Sequence, residues 1–210
     1  MTEITVLNCI AVFVLCYLIG SIPIAYIFVK AKTSKDITKE GSGNVGTLNS
    51  FTVTKSKSVG AAVLLLDLLK GLVPVYVILS VISLDYFYAS LGASAIILGH
   101  NYPVWLKFKG GRGLAPGAGI FLVLNYFVVI GWGVVWLIVF LFKKKVLISN
   151  TIATFSLPLY VLIINLFDFL VVGSSYPGFA IGYFTIFSVI ITVIILSKHR
   201  EVFKEISNKN

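Results

Sequence analysis

Long apolar blocks, separated by short basic stretches rich in glycine, make up this chain. Leu7–Val29 and Val59–Ile82 clearly reach the roughly 20 mostly apolar residues that a transmembrane helix needs. Tyr86–Gly99 is shorter. Leu114–Phe142 is 29 residues long, which suits one tilted helix or two short ones. Val146–Leu166 and Phe179–Leu196 complete the set. The pattern predicts an all-α polytopic helix bundle of six or seven spans, and the long fourth block decides the count.

Charge resolves it. Of 17 Lys and Arg residues, all but Lys70 fall in four places. These are Lys30, Lys32, Lys35, Lys39, Lys55 and Lys57; then Lys107, Lys109 and Arg112; then Lys143, Lys144 and Lys145; and finally Lys198, Arg200, Lys204 and Lys209. Basic loops favour the cytoplasmic side. A single span over 114–142 would send Lys143–Lys145 outside, whereas a break near Asn125-Tyr126 keeps every basic loop inside. Seven spans follow, with the N-terminus outside and the C-terminus in the cytoplasm. The connections around Asp85 and Asp168–Gly178 hold no Lys or Arg, as external loops should.

Composition agrees. The chain is 58% hydrophobic and 12% charged, with a mean hydropathy of +1.00, against roughly a quarter charged residues in soluble domains. Residues 1–210 read as a single integral membrane domain of the cell membrane. The N-terminus lacks the basic region and small-residue cleavage site of a secretory signal, so Leu7–Val29 is expected as a retained helix. Cys9 and Cys16 read as small apolar side chains. No His, Asp or Cys cluster predicts a metal, and no cofactor or nucleic-acid partner is expected.

Two loops carry the candidate chemistry. Gly41-Ser42-Gly43-Asn44-Val45-Gly46 formally matches G-x-G-x-x-G, but a membrane helix and a lysine-rich stretch precede it. The dinucleotide reading needs a strand before it and a βαβ unit around it, so it is rejected. What survives is an anion site: exposed backbone N–H groups with hydroxyls and amides from Ser42, Asn44, Thr47, Asn49 and Ser50, beside Lys39 and Lys55. The second loop runs from Gly99-His100-Asn101-Tyr102-Pro103 to Phe108-Lys109-Gly110-Gly111-Arg112-Gly113. It suits a phosphate at a membrane face, or a basic rim touching anionic headgroups. His100 is a structural hydrogen-bonder or a base. Asp67 and Lys70, at i, i+3 within a span, share a helix face and form a structural ion pair, or leave Lys70 to reach a phosphate.

In this order the stretches resemble the bacterial membrane family of acyl-phosphate:glycerol-3-phosphate acyltransferases. The matching segments are Gly20–Tyr26, Gly41–Gly46 with Asn49, Leu66–Gly71, Gly99–Trp105 running into Phe108–Gly113, and a weaker Lys198–Glu201. The resemblance implies seven helices with the N-terminus outside and an active face on the cytoplasmic side. It also implies transfer of a fatty acyl group from acyl phosphate to glycerol-3-phosphate, giving lysophosphatidic acid, with membrane lipid as the surrounding partner. By the same resemblance Ser42, His100 and Lys109 are the catalytic candidates. Gly43, Asn44, Asn49, Asn101, Gly110, Gly111, Arg112 and His199 are the substrate-binding ones.

The chain departs from the family pattern at several places. Leu48 stands for a threonine, Thr52 for an arginine, and Arg112 for a lysine. Pro116 replaces a threonine, Leu147 a serine, Val202 an asparagine and Glu205 an arginine. These replacements motivate a second reading, a non-catalytic member that binds phospholipid or lysophospholipid. A third, a small anion transporter, is disfavoured because ionisable residues gather at one face and no inverted repeat is visible.

Overall fold

The computed structural model describes residues 5–171 and 178–199, with side chains described except at Asn165, 167–171 and 178–183. All regular structure among these residues is helical. The chain divides into two compact units at Val123/Leu124.

The first unit contains α1 (Val6–Ser21), α2 (Ile24–Thr33), α3 (Thr47–Thr54), α4 (Lys57–Tyr76), α5 (Tyr86–Asn101) and α6 (Leu114–Leu124). A π-helical turn, Val77–Val81, extends α4 past Pro74, and a 3₁₀ turn, Val104–Leu106, follows α5. Helix α1 lies along α5 at a distance only small residues permit. A side chain on Gly20 would strike the Ile96 backbone, and one on Gly99 would strike the Tyr17 carbonyl. Helices in lipid associate through such small-residue faces, because burial of apolar surface gives them little. Polar ties secure the ends of this pair: the Tyr88 hydroxyl accepts from the Thr5 N–H at 3.0 Å, and Tyr17 donates to the Tyr102 carbonyl at 2.9 Å.

The expected single helix over Leu7–Val29 is two helices. Pro23 has no N–H to donate and its ring excludes the preceding turn. Ile22, before it, takes ψ 115, outside the helical region. Apolar residues continue across the break, which is why the sequence reads as one span. The Ile24 N–H turns to the Ile22 carbonyl, so Gly20 O loses the partner a continuous helix would supply.

The second unit contains α7 (Tyr126–Lys143), α8 (Val146–Phe155), α9 (Leu157–Val171) and α10 (Gly178–Leu196). The expected break near Asn125-Tyr126 is present. Asn125 is extended and its side chain accepts from the Phe127 N–H at 3.0 Å, capping α7. The Val146–Leu166 block, expected as one helix, breaks after Phe155, and its two parts bend by 43°. Pro158 withholds the N–H that the Thr154 carbonyl would accept. The Thr192 hydroxyl of α10 donates to that carbonyl instead, at 3.4 Å. Helix α7 is pinned to α8 by two indoles, Trp132 donating to Thr154 Oγ1 at 3.2 Å and Trp136 to Asn150 Oδ1 at 2.7 Å. Trp136→Phe strands the buried Asn150 oxygen, so thermal unfolding in detergent should show a loss of about 1–3 kcal/mol.

Among the described residues, three helical stretches are long and apolar enough to cross a membrane, Val6–Thr33, Lys57–Val81 and Tyr126–Lys143, and the bent α8–α9 pair makes a fourth. Much of the described surface is apolar: Phe142 is 82% exposed and Val6 76%. Lipid, rather than water, suits such an exterior.

Candidate active site

The first glycine loop is anchored from below. Ile37 and Val45, both buried, insert between Ala25 and Val29 of α2 and Val63 of α4. Asn49, 4% exposed on α3, holds the loop from its side. Its Nδ2 donates to the carbonyls of Glu40 at 3.0 Å and Ile37 at 3.4 Å, and its Oδ1 accepts from the Ser42 N–H at 3.0 Å. Gly41 and Gly43 take φ +57 and +69, which glycine alone adopts without strain. Any side chain on Gly41 would also collide with the Asn49 amide. The loop is thereby shaped with Ser42 exposed and Asn44 half-buried.

Asn49→Ala removes three hydrogen bonds and leaves the Ile37 and Glu40 carbonyls only the backbone N–H groups of Glu40 and Gly43. Its expected result is a loss of about 1–3 kcal/mol, with faster tryptic cleavage at Lys35 or Lys39. At the base of the loop, Asp36 accepts from the Thr38 hydroxyl at 2.7 Å and the Thr38 N–H at 3.0 Å, which holds its carboxyl below the usual carboxylate range.

The second loop folds back on the end of α5. Gly110 N–H donates to the Asn101 carbonyl at 3.2 Å, and Gly111 N–H to the His100 carbonyl at 3.0 Å. Gly111 is buried where a Cβ would strike both the His100 imidazole and the Val45 carbonyl of the first loop. The two glycine loops therefore converge on one imidazole, although Val45 and Gly111 are 66 residues apart on the chain. Lys109 is exposed and Arg112 half-buried beside this turn, while Asn101 is fully buried.

Beneath the loops lies a group that the sequence presented only in part. The Asp67–Lys70 pair forms as the i, i+3 spacing predicted, at 3.0 Å, with side chains 3% and 7% exposed. Lys70 Nζ also donates to the carbonyls of Gly20 at 3.1 Å and Ile22 at 2.9 Å, and stands 3.2 Å from His100 Nδ1. The lysine thus takes up the carbonyl that Pro23 freed. A small pocket borders this group, lined in part by Ser21, Pro23, Val45 and Pro103. The buried Ser21 hydroxyl has no hydrogen-bond partner among the described residues. Sequence reasoning missed Ser21, and it missed Lys70 as a neighbour of His100, since nothing local links positions thirty residues apart.

His199 belongs to the second unit, fully buried, with Nδ1–H donating to the Ile195 carbonyl at 2.9 Å. Arg200, Glu201, Val202 and Glu205 lie outside the described residues.

Residues 10–209 match the family model for glycerol-3-phosphate acyltransferase. The chain belongs to this family. Similar curated acyltransferases include glycerol-3-phosphate acyltransferase of Pelagibacter ubique, 36% identical over 92% of this chain and 91% of the relative. Glycerol-3-phosphate acyltransferase 2 of Thermotoga maritima is 38% identical over 68% of this chain and 71% of its own length. Among solved structures, PlsY, an integral membrane glycerol 3-phosphate acyltransferase in its glycerol 3-phosphate form, is 28% identical. It covers 96% of this chain and 92% of its own, with a TM-score of 0.78. A lysophosphatidic acid form of PlsY is similar at a TM-score of 0.75.

Proposed function

We propose that this membrane acyltransferase moves a fatty acyl group from acyl phosphate to glycerol-3-phosphate, on the cytoplasmic face of a seven-span, N-out domain covering residues 1–210. Family membership carries the acceptor: relatives are named for glycerol-3-phosphate, and PlsY was solved with that molecule and with lysophosphatidic acid. The non-catalytic phospholipid binder is not favoured. The placement of all four basic clusters supports the cytoplasmic face.

Acyl phosphate brings its own leaving group, so no covalent intermediate with the protein is needed. Docking two phosphates, aligning the acceptor hydroxyl with the acyl carbonyl and stabilising the oxyanion suffice. Lys109, Arg112 and the Gly110–Gly111 backbone hold one phosphate. Ser42, Gly43 and Asn44 face the other phosphate or the oxyanion, Asn49 keeps that loop in shape, and Asn101 fixes the end of α5. The family resemblance makes His199 a further substrate-binding candidate. The hydroxyl proton leaves to a substrate phosphate oxygen or to His100. The observation that carries this reading is the seat of Gly111 against both His100 and Val45, which gathers the loops at one imidazole.

Purified protein given palmitoyl phosphate and glycerol-3-phosphate should release phosphate and form lysophosphatidic acid in equal amounts. Lys109→Ala should lower kcat/KM by about 10- to 100-fold, the worth of one hydrogen bond to a charged group. Phosphate release without lysophosphatidic acid would point to a different acceptor. Absence of both products would refute the reading.

A further inference from the structure

We infer that Lys70, held in place by Asp67, is a positioning residue that fixes His100 as the neutral tautomer with its proton on Nε2. The inference deepens the proposed function: it rests on His100 belonging to the acyl-transfer site, and it sets what that imidazole can do there.

Three arrangements of protons fit an ammonium, a carboxylate and an imidazole in contact. An imidazolium would put a second positive charge 3.2 Å from Lys70 Nζ, inside a buried site. Its Nδ1–H, like that of a neutral Nδ1–H imidazole, would meet the Lys70 ammonium donor to donor. Asp67 Oδ1, at 3.7 Å, is too far for a hydrogen bond. Lys70 would accept only as a neutral amine, which would leave Asp67 without the positive charge it faces at 3.0 Å. The third arrangement suits the ammonium. Lys70 keeps its three protons for Gly20 O, Ile22 O and His100 Nδ1, with the Asp67 carboxylate at 3.0 Å as its counter-charge. Carbonyl, carboxylate and bare ring nitrogen are all acceptors, and an ammonium offers only donors. With Nδ1 accepting, the single imidazole proton is on Nε2, the nitrogen beside Gly111.

The hydrogen bond made by one imidazole nitrogen decides the state of the other. Here the consequence is chemical: His100 presents an N–H toward the turn where the loops converge. It is built to donate a hydrogen bond to an oxygen gathering negative charge, and a base for the glycerol hydroxyl has to be found elsewhere. The break at Ile22-Pro23 belongs to the same device. Without the carbonyls it frees, nothing opposite Asp67 would hold the ammonium against His100.

The second histidine supplies an internal reference. His199 Nδ1 faces the Ile195 carbonyl, which can only accept, so its proton is on Nδ1. Nitrogen NMR of ¹⁵N-histidine-labelled protein in lipid reads both rings, and a His199→Gln variant assigns them. The expected spectrum shows His100 bare at Nδ1 and protonated at Nε2, with His199 protonated at Nδ1. Lys70→Arg, which still can only donate, should keep the His100 pattern. Lys70→Met should convert it to a mixture of tautomers and lower turnover by roughly 10²-fold, the low end of a positioned proton donor's contribution. Nδ1–H at His100 in the wild-type spectrum overturns the inference, whether or not the variants fold. So does a folded Lys70→Met protein with an unchanged tautomer. The spectrum does not depend on turnover: an inactive wild type with the expected tautomers would refute the proposed activity and leave this assignment standing.

Discussion

Gly111→Ala should lower acyl transfer by about 10²-fold or more while leaving the helices and detergent behaviour of the protein intact. The methyl group has nowhere to go, with the His100 imidazole on one side and the Val45 carbonyl on the other. Relief requires the Gly110–Gly111 turn to lift from the end of α5, breaking its hydrogen bonds to the Asn101 and His100 carbonyls. Lys109 and Arg112 move with it. A displacement of about 1 Å at a reacting centre already costs on the order of 10²-fold. Gly133→Ala is the matched control, because nothing lies within 4 Å of the added carbon in α7. That variant should keep full activity and gain about 0.5–1 kcal/mol from helix propensity. Lysophosphatidic acid formation and thermal unfolding of the two variants, run side by side, check both statements. Equal activities would remove Gly111 from the account of the site.

The second large effect concerns stability. Asp67→Ala leaves the Lys70 ammonium buried without its counter-charge, and removing one partner of a buried pair costs about 3–5 kcal/mol. Lys70→Ala should cost at least as much, because it also strips the Gly20 carbonyl of its donor and the Ile22 carbonyl of one of its two. The double variant Asp67→Leu/Lys70→Met removes both charges and should be more stable than either single alanine variant. It should still fall short of wild type by the worth of the orphaned Gly20 carbonyl. Thermal unfolding in one detergent ranks the four proteins. A double variant less stable than both singles would show that the charges act independently.

The sequence exposes some of this architecture and conceals the rest, for identifiable reasons. The break at Asn125 is legible because charge reports it: one span over 114–142 would part Lys143–Lys145 from the basic cluster at Lys107–Arg112. The break at Pro23 carries no such signal. No charge interrupts Gly20–Val29, and the donor that meets the carbonyl left open there is a lysine fifty residues away. Pro158 is the same case, its freed carbonyl met by Thr192, 38 residues on. The Asp67–Lys70 pair shows in the i, i+3 spacing, but its attachment to His100 is tertiary and leaves no local trace. The glycines at 41, 43, 110 and 111 mark a phosphate-type loop by composition. That Gly111 is specifically the seat of an imidazole follows only from the fold.

Four helix-ending turns described above share a peculiarity. Ser34, Lys55, Lys107 and Lys144 cap α2, α3, the 3₁₀ turn and α7, each with φ between 51 and 60. Glycine favours that conformation, and other residues carry about 1–2 kcal/mol of strain in it. Three of the four are lysines. Glycine there would relax the turn, but it would remove a cation from a loop whose charge tells the insertion machinery which way the chain faces. On the proposed orientation, these turns trade folding stability for basic residues on the cytoplasmic side. A triple glycine variant should be harder to unfold and more often inserted upside down, as cysteine accessibility from the two sides of the membrane would reveal.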